Sequence, residues 1–277
     1  MGGRKTITPG GVVAIVISAL VMLAVLAPLL WLFVSSFKSD KEVIAYPPTL
    51  LPQDWTLDQF EAVNHSLPIA KMFRNSLIFA GGVTVISLLL DSMAGYAFAR
   101  LDFKHKKLWF AVVLLTMMVP FQILMTPLYI EEHYMGLLDT FVGLILPRAT
   151  SAYGIYMMRS FFVRLPVSLE ESGRLDGLSE FGIFRRIMLP QCLPALVALG
   201  VFHFMNNWND LLYPLMLTSS TEMRTFSAGL AMLVGNKVIK FGPTLAATLI
   251  SILPVLVLYM FGQRYFREGI ASTGMKE

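Results

Sequence analysis

The stretch Leu169–Pro194, LEESGRLDGLSEFGIFRRIMLPQCLP, is one of the most charged windows of a very apolar chain and lies between two hydrophobic segments. Ser168 with Glu171 three residues later has the pattern of a capping box, which predicts the start of a helix. Gly177 then predicts a break, because glycine tolerates backbone angles that other residues avoid. A second helix is predicted over about 178–189, with a proline after it. The segment is therefore predicted to be a short helical elbow.

One side of the second predicted helix is apolar. Large apolar residues recur there at helical spacing, namely Phe181, Phe184, Ile187 and Met188. Such an elbow fits two interpretations: a plug that inserts into a soluble partner, or an amphipathic segment that lies on the lipid headgroups. The pattern alone leaves both open.

The composition is that of a membrane protein. Of 277 residues, 56% are hydrophobic and only 14% are charged, whereas soluble domains carry about 25% charged residues. The net charge of +4 is small and the basic residues are dispersed, which argues against nucleic-acid binding. Cys192 is the single cysteine, so an intrachain disulfide and a thiolate metal site are excluded.

Six segments are long and apolar enough to cross ~30 Å of hydrocarbon, which takes about 20 helical residues. Helices are expected because backbone groups in lipid must be satisfied within the segment. The first segment exceeds the ~7–15-residue apolar core of a cleaved signal and is interpreted as a retained membrane helix. The predicted spans are Val12–Phe37, Asn75–Arg100, Leu108–Ile130, Thr140–Phe162, Gln191–Leu215 and Phe241–Gln263.

The distribution of lysine and arginine predicts the orientation of these spans. With six crossings and the N-terminus inside, fourteen of the 22 basic residues fall on the inner side and eight on the outer side. The cluster Lys104-His105-Lys106-Lys107 is the sharpest single signal. Both termini and the elbow are therefore predicted to be cytoplasmic.

The sequence carries no recognisable catalytic or metal-binding constellation. The four histidines lack metal-ligand spacing, and His133 beside Glu131 and Glu132 is interpreted as a solvated loop triplet. There is no G-x-x-x-x-G-K-[ST] phosphate loop, no G-x-S-x-G elbow and no Ser/His/Asp arrangement. An intramembrane enzyme is disfavoured, and no metal is expected.

A polar face in the fifth predicted span is the main candidate for a ligand pathway. His203, Asn206, Asn207 and Asp210 follow the spacing i, i+3, i+4, i+7 of one helix face. A carboxylate near the bilayer centre costs roughly 3 kcal/mol or more, so such groups usually face the bundle interior or water. The face could line a polar pathway, or it could join helices through amide hydrogen bonds. The candidate pathway residues are Asn206, Asn209 and Asp210.

Two other charged residues fall inside predicted spans. For Asp91 a structural hydrogen bond to a neighbouring helix is favoured over a pathway role, and Arg148 is expected to snorkel outward or to pair with an acid such as Asp139. No charged relay links Asp91, Arg148 and Asp210 in the sequence, and the broken, paired repeats of ion-coupled carriers are not evident. Energy is therefore expected to enter from outside the chain, at the elbow.

The elbow resembles the EAA signature, E-A-A-x-x-D-G-A-x-x-x-x-x-F-x-x-I-x-L-P, of permease subunits of ATP-binding-cassette (ABC) importers. Three alanines of that signature are replaced here by Ser172, Gly173 and Leu178, and the last is the larger departure. The positions that match are Glu171, Asp176, Gly177, Phe184, Ile187, Leu189 and Pro190.

The remainder of the chain is similar to the MalG-type permeases of carbohydrate importers, in Asn75-Ser76 and in Trp208-Asn209-Asp210 among other places. This resemblance implies an all-α integral membrane protein with six spans, cytoplasmic termini and the MetI-like fold of type-1 ABC importers. It also implies an N-terminal tip, first span and extracytoplasmic segment (1–70), a five-helix core (71–263) with a cytoplasmic coupling loop (163–190), and a cytoplasmic tail (264–277).

The resemblance further implies a non-catalytic translocation subunit in a larger complex. Its partners would be a second, non-identical, MalF-like permease, two ATPase subunits, an extracytoplasmic solute-binding protein and membrane lipid, with no nucleic acid. The chain itself would bind no cofactor, and ATP and Mg would be used by the partner ATPase.

The same resemblance assigns roles within the elbow, which would be seated in a cleft of the ATPase. Glu171, Asp176 and Gly177 would shape the bend. Phe184 and Ile187 would supply the apolar grip on the ATPase, and the Leu189-Pro190 pair would pass the movement to the fifth span.

The transported solute is expected to be a sugar or oligosaccharide. A permease for a polyol or glycerol phosphate is the alternative within transport. A secondary carrier driven by an ion gradient and a membrane enzyme are the alternatives from other classes.

Overall fold

The computed structural model of the chain describes residues 9–235 and 241–273. Within these two ranges the chain is helical and contains no β-strand, which confirms the predicted all-α class. A 3₁₀ turn occupies Leu146–Arg148 and a π-helical turn occupies Phe184–Met188. In chain order the α-helices are α1 (Pro9–Ser35), α2 (Asp40–Val43), α3 (Asp58–Ser66), α4 (Ile69–Arg100), α5 (Lys106–Thr116), α6 (Phe121–Tyr134), α7 (Phe141–Ile145), α8 (Ala152–Arg164), α9 (Ser168–Leu175), α10 (Glu180–Ile183), α11 (Leu189–Gln191), α12 (Leu193–Trp208), α13 (Leu212–Leu217), α14 (Phe226–Gly235) and α15 (Phe241–Thr273).

Three helices of the described ranges are long and apolar enough to cross a membrane unaided: Gly10–Ser35, Ile69–Arg100 and Phe241–Gln263. Two further spans arise if bent pairs are counted. The pair α5 and α6 bends by 95°, and the pair formed by Glu180–Gln191 and α12 bends by 81°. By length and composition, the part of the chain that the structure describes therefore offers three to five spans.

The fourth predicted span, Thr140–Phe162, is not a single helix. The hydroxyls of Thr140 and Ser151 each accept a hydrogen bond from the amide three residues on, at 3.1 and 2.9 Å, so each caps the start of a new helix. Pro147 lies in the 3₁₀ turn between them. The stretch is apolar, but the capping hydroxyls of Thr140 and Ser151 divide it into α7, the 3₁₀ turn and α8.

The described residues group into two compact units. One takes the chain up to Leu67 together with Leu233–Ile252, and the other takes Pro68–Met232 with the residues from Leu253 onward. In the first unit the Lys38 side chain is buried, and its ammonium is satisfied there by the Thr49 carbonyl, to which it donates at 2.5 Å. The ammonium also lies 4.5 Å from the centre of the Trp31 ring, within cation–π range.

In the second unit, α4 packs along both α8 and α12. The elbow, α9 to α11 with its π turn, contributes to the same apolar core rather than standing apart from it. This core is made by Tyr96, Met158, Phe162, Ile183, Phe184, Met188, Cys192, Ala195 and Leu199.

The crossing of α4 and α8 depends on Gly95. A Cβ atom at this position would lie 2.8 Å from the backbone nitrogen of Arg159 and 2.8 Å from the Cβ atom of Met158. Neither atom can move without shifting α8, so the absence of a side chain lets the two helices approach.

We expect Gly95→Ala to destabilise the chain by about 1–3 kcal/mol, the usual cost of overpacking, and to lower Tm by several degrees. Gly81→Ala is the matched control in the same helix, because nothing lies within 4 Å of a Cβ there. Thermal melts of the detergent-purified variants measure both, and equal Tm values for the two would contradict the packing role.

Candidate functional site

The elbow bends where the sequence predicts it. Helix α9 ends at Leu175, and Gly177 adopts φ +77°, in the left-handed region. The predicted capping box is wrong, because Ser168 is already the first residue of α9 and no side chain caps that helix. The second arm begins instead with Ser179, whose hydroxyl accepts from the amide of Gly182 at 3.2 Å.

The second arm contains a π turn instead of continuous α-helix. The amide of Leu189 donates to the carbonyl of Phe184, five residues earlier. Pro190 follows and lacks the N–H that an α-helical bond to the preceding turn needs, so the looser turn is accommodated there. Gly173 lets α9 lie against this turn, since a Cβ would sit 2.7 Å from Cδ1 of Ile187.

Arg100, the last residue of α4, ties the elbow to the helical core. Its guanidinium donates to the Phe162 carbonyl, with Nη2 at 2.6 Å, and also to the Leu165 carbonyl. These groups belong to the end of α8, where a cation complements the helix dipole. The same guanidinium pairs with Glu170 of α9 at 3.0 Å, and the two side chains are 9% and 4% exposed.

A second set of polar contacts closes the elbow on itself. Arg174 in α9 pairs with Glu180 at 2.9 Å across the bend. The hydrogen bond to Glu180 raises the pKa of Arg174. Tyr96 of α4 donates its hydroxyl to the other Glu180 oxygen at 3.3 Å. The bend is therefore held from both arms and from α4.

The structure divides the predicted elbow residues into an outer and an inner group. Glu171 and Asp176 lie on the surface with Gly177 and Pro190, whereas Ile187 and Leu189 are half-buried. Phe184 is only 3% exposed, and its ring packs 5.3 Å from that of Tyr96.

The expectation that Phe184 grips a partner is therefore wrong for this structure, because its ring fills the chain's own core. The apolar groups that the elbow presents outward are Leu175, 89% exposed, and Phe181, 58% exposed. Phe181 and Phe184 therefore do not share the buried side, although the helical spacing predicted a common one.

Asp91 is the centre of a buried polar network. Its side chain is fully buried and accepts from the Thr150 hydroxyl at 2.7 Å and from the Ser151 amide at 2.9 Å. The Ser151 hydroxyl and Nε2 of His203 lie 3.2 and 3.0 Å from its second oxygen. A Cβ at Gly154 would overlap that oxygen. These contacts join α4 to the start of α8 and to α12, which agrees with the structural interpretation of Asp91.

Arg148 occupies the adjacent position. Its Nη2 lies 2.5 Å from Oδ2 of Asp210, and its Nη1 donates to Oδ1 of Asn207 at 3.0 Å. The guanidinium also covers the Tyr213 ring, 4.2 Å from its centre. The predicted pairing of Arg148 with an acid is confirmed, but the acid is Asp210 and not the Asp139 given as the example. Snorkelling, the other alternative, is not observed, because the guanidinium is held by these contacts.

Asp139 instead accepts from the amides of Ser219 and Ser220, both at 3.1 Å. Burial opposes ionisation of this carboxyl, but the hydrogen bonds from Ser220 and Ser219 outweigh it and hold the pKa of Asp139 below its usual value.

Asn207 connects the two halves of the network. Its Nδ2 donates to the backbone carbonyl of His203 at 2.8 Å while its Oδ1 accepts from Arg148. Asp91, Arg148 and Asp210 are therefore linked through His203 and Asn207, a connection that the sequence did not indicate. The partners lie on separate elements, so spacing along the chain could not reveal them.

A cavity of about 540 Å³ lies beside this network. Of the predicted pathway residues, Asn206 lines the cavity and Asn209 does not. The Asn209 amide donates instead to the Met205 carbonyl of the preceding turn. Asp210 is engaged by Arg148. In the described ranges no group of three His, Cys, Asp or Glu residues could hold a metal. The cavity wall combines apolar residues with polar side chains such as Asn206 and Thr150.

Comparison with known proteins places these features in one family. Residues 91–271 match the model of the family described as binding-protein-dependent transport system inner membrane component. The chain is 36% identical over 252 residues to the arabinooligosaccharides transport system permease protein AraQ of Halalkalibacterium halodurans, covering 90% of each chain. It is 33% identical over 265 residues to the trehalose transport system permease protein SugB of Mycobacterium tuberculosis, covering 94% of this chain and 96% of that one.

The fold is also similar to that of a solved structure. A chain from the crystal structure of a bacterial ABC transporter that imports the acidic polysaccharide alginate superposes with a TM-score of 0.81, at 23% identity, over 96% of this chain and 99% of that one. The MetI-like permease fold expected from the sequence is thereby confirmed.

We expect Asp91→Ala to destabilise the chain by about 3–5 kcal/mol, because it leaves buried donors of Thr150, Ser151 and His203 without their acceptor. Asp91→Asn preserves the shape and should cost less. The control is Asp102→Ala at an exposed site, where surface substitutions usually stay within about 0.5 kcal/mol. Thermal melts and gel filtration in detergent report the outcome, and a melt of Asp91→Ala equal to that of the control would refute the network's structural role.

Proposed function

Because this chain belongs to the family of binding-protein-dependent transport system inner membrane components, we propose that it is the translocation subunit of an ATP-driven importer of a sugar or oligosaccharide. It is a multi-pass inner-membrane protein and a transport component. The observation that carries the choice of solute is its likeness, over nearly the whole length of both chains, to permeases named for arabinooligosaccharides and trehalose.

The elbow is the part through which ATP hydrolysis would act. Its outer surface offers Leu175 and Phe181 as apolar contacts, flanked by the charges of Glu171, Asp176 and the Arg185-Arg186 pair. We propose that this surface is seated in a cleft of an ATPase subunit. A tip of this kind buries apolar area on docking, and its charges fix the orientation.

Movement of the docked elbow would pass to the membrane helices through buried contacts. Arg100 holds Glu170 of the elbow and the end of α8 with one guanidinium. Phe184 packs into the core shared by α4, α8 and α12. A displacement of the elbow therefore cannot be absorbed locally, because close-packed interiors transmit strain.

The remaining components follow from the same proposal. The chain has no phosphate loop, so ATP and Mg would be bound by two separate ATPase subunits. A second, non-identical permease would complete the pathway, and a solute-binding protein on the outer side would deliver the sugar. In this chain, the cavity lined by Asn206 and His203 is the candidate contribution to that pathway.

Changes at the elbow tip should prevent docking without preventing folding. We expect Leu175→Ala to weaken copurification with the ATPase subunits about tenfold, because it removes an exposed apolar contact. Gly177→Val should have a similar effect, since a left-handed residue costs roughly 1–2 kcal/mol for a side chain other than glycine. Leu50→Ala, at another exposed leucine, is the control, and equal recovery of ATPase with Leu175→Ala and Leu50→Ala would disprove docking through this tip.

The transport function itself is tested with the complete transporter in liposomes. We expect uptake of a neutral oligosaccharide such as arabinotriose that requires ATP and the solute-binding protein and is insensitive to ionophores. Uptake that survives ATP depletion but collapses with the ion gradient would favour a secondary carrier. Preferential uptake of sn-glycerol 3-phosphate or of a polyol would replace the sugar by the alternative solute class.

A further inference from the structure

We infer that the cavity beside the Asp91–Arg148 network is a binding subsite for a neutral glycosyl unit, carried by this chain itself. This inference rests on the proposed function and adds to it a ligand class and the groups that recognise it. Three independent properties of the cavity wall support it: an exposed aromatic pair, polar groups without partners, and the charge that remains unpaired.

The aromatic pair is Tyr153 of α8 and Phe202 of α12. Their ring centres lie 4.7 Å apart at an interplanar angle of 40°, and both line the cavity. They are 39% and 45% exposed, so the rings retain free faces. The negative face of an aromatic ring attracts the polarised C–H groups along one side of a pyranose or furanose ring.

Beside this pair lies a set of uncommitted polar groups. Asn206 is one helical turn after Phe202, lines the cavity and is exposed, and its amide has no hydrogen-bond partner in the described part of the chain. The Tyr153 hydroxyl is likewise unpaired there. An amide that both donates and accepts matches sugar hydroxyls, which also do both. Binding sites for small molecules commonly combine an apolar wall with a few such polar groups in a volume of about 300–1,000 Å³.

The charges at the wall exclude an acidic sugar. Arg148 lines the cavity, but its charge is paired with Asp210, and it also donates to Asn207. Glu131 also lines the cavity and has no ion-pair partner among the described residues. The unpaired charge is therefore negative, and a uronate would be repelled, whereas a neutral sugar could use the same carboxylate as an acceptor.

The test is direct binding to the assembled transporter in nanodiscs without the solute-binding protein, followed by saturation-transfer NMR. The neutral probes are arabinotriose and trehalose, and the acidic probe is an alginate trisaccharide. We expect binding of a neutral probe only. Tyr153→Ala and Asn206→Ala should weaken that binding about five- to tenfold.

Two control variants match the chemistry of these changes away from the cavity. Tyr156→Ala replaces a tyrosine of α8 that is 46% exposed and does not line the cavity. Asn64→Ala replaces an exposed asparagine of α3. Both should stay within about twofold of the wild type. Glu131→Lys reverses the unpaired charge at an exposed position and should let the alginate trisaccharide bind.

The outcomes separate this inference from the proposed function. If the complete transporter takes up a sugar with ATP but no neutral probe binds, or if Tyr153→Ala and Asn206→Ala bind like the controls, the subsite is refuted and the proposed function stands. A wild-type preference for the alginate probe refutes the neutral class. If no sugar is taken up with ATP under any condition, the proposed function fails and the inference fails with it.

Discussion

The position of the elbow depends on the contacts that the guanidinium of Arg100 makes with α8 and with Glu170. This guanidinium donates to the Phe162 carbonyl at the end of α8 and forms an ion pair with Glu170, and the side chains of Arg100 and Glu170 are only 9% and 4% exposed. A buried ion pair adds little net stability over an apolar pair, but removing one partner costs about 3–5 kcal/mol. The contact therefore specifies position more than it adds stability. It fixes α9 against the bundle, and the outward tip at Leu175 is defined by that placement.

Helix α4 carries both of the buried polar junctions described above. Arg100 lies at its end and Asp91 nine residues before it, and each contacts residues of other elements. Between them, Gly95 permits the close crossing with α8. Because α8 or the residues that cap it take part in all three contacts, α4 and α8 are held together at three points within their unit. The elbow is attached at the Arg100 end of this pair, and the cavity lies beside the Asp91 network. The same two helices therefore support both the elbow and the cavity.

Local features of the elbow and of the long apolar helices could be predicted from sequence, and long-range pairings could not. The bend at Gly177 follows from a property of glycine, and the predicted span Asn75–Arg100 is contained in α4 because apolar length alone defines it. Phe184 was expected to contact a partner, and its burial in the chain's own core depends on residues distant in sequence, such as Tyr96. Asp91 and His203 are 112 residues apart, and no periodicity within one helix indicates such a partner.

That separation has a consequence for synthesis. Asp91 reaches the membrane with α4, whereas Thr150 and His203 are translated 59 and 112 residues later. At roughly 5–20 residues per second, the delay to His203 is on the order of ten seconds. During that time the carboxylate lies in the apolar phase without these partners. This costs about 2.5–3.5 kcal/mol, which the apolar remainder of the helix offsets. A chain interrupted before Thr150 therefore keeps an unsatisfied acid inside the bilayer, and this distinguishes it chemically from a finished subunit.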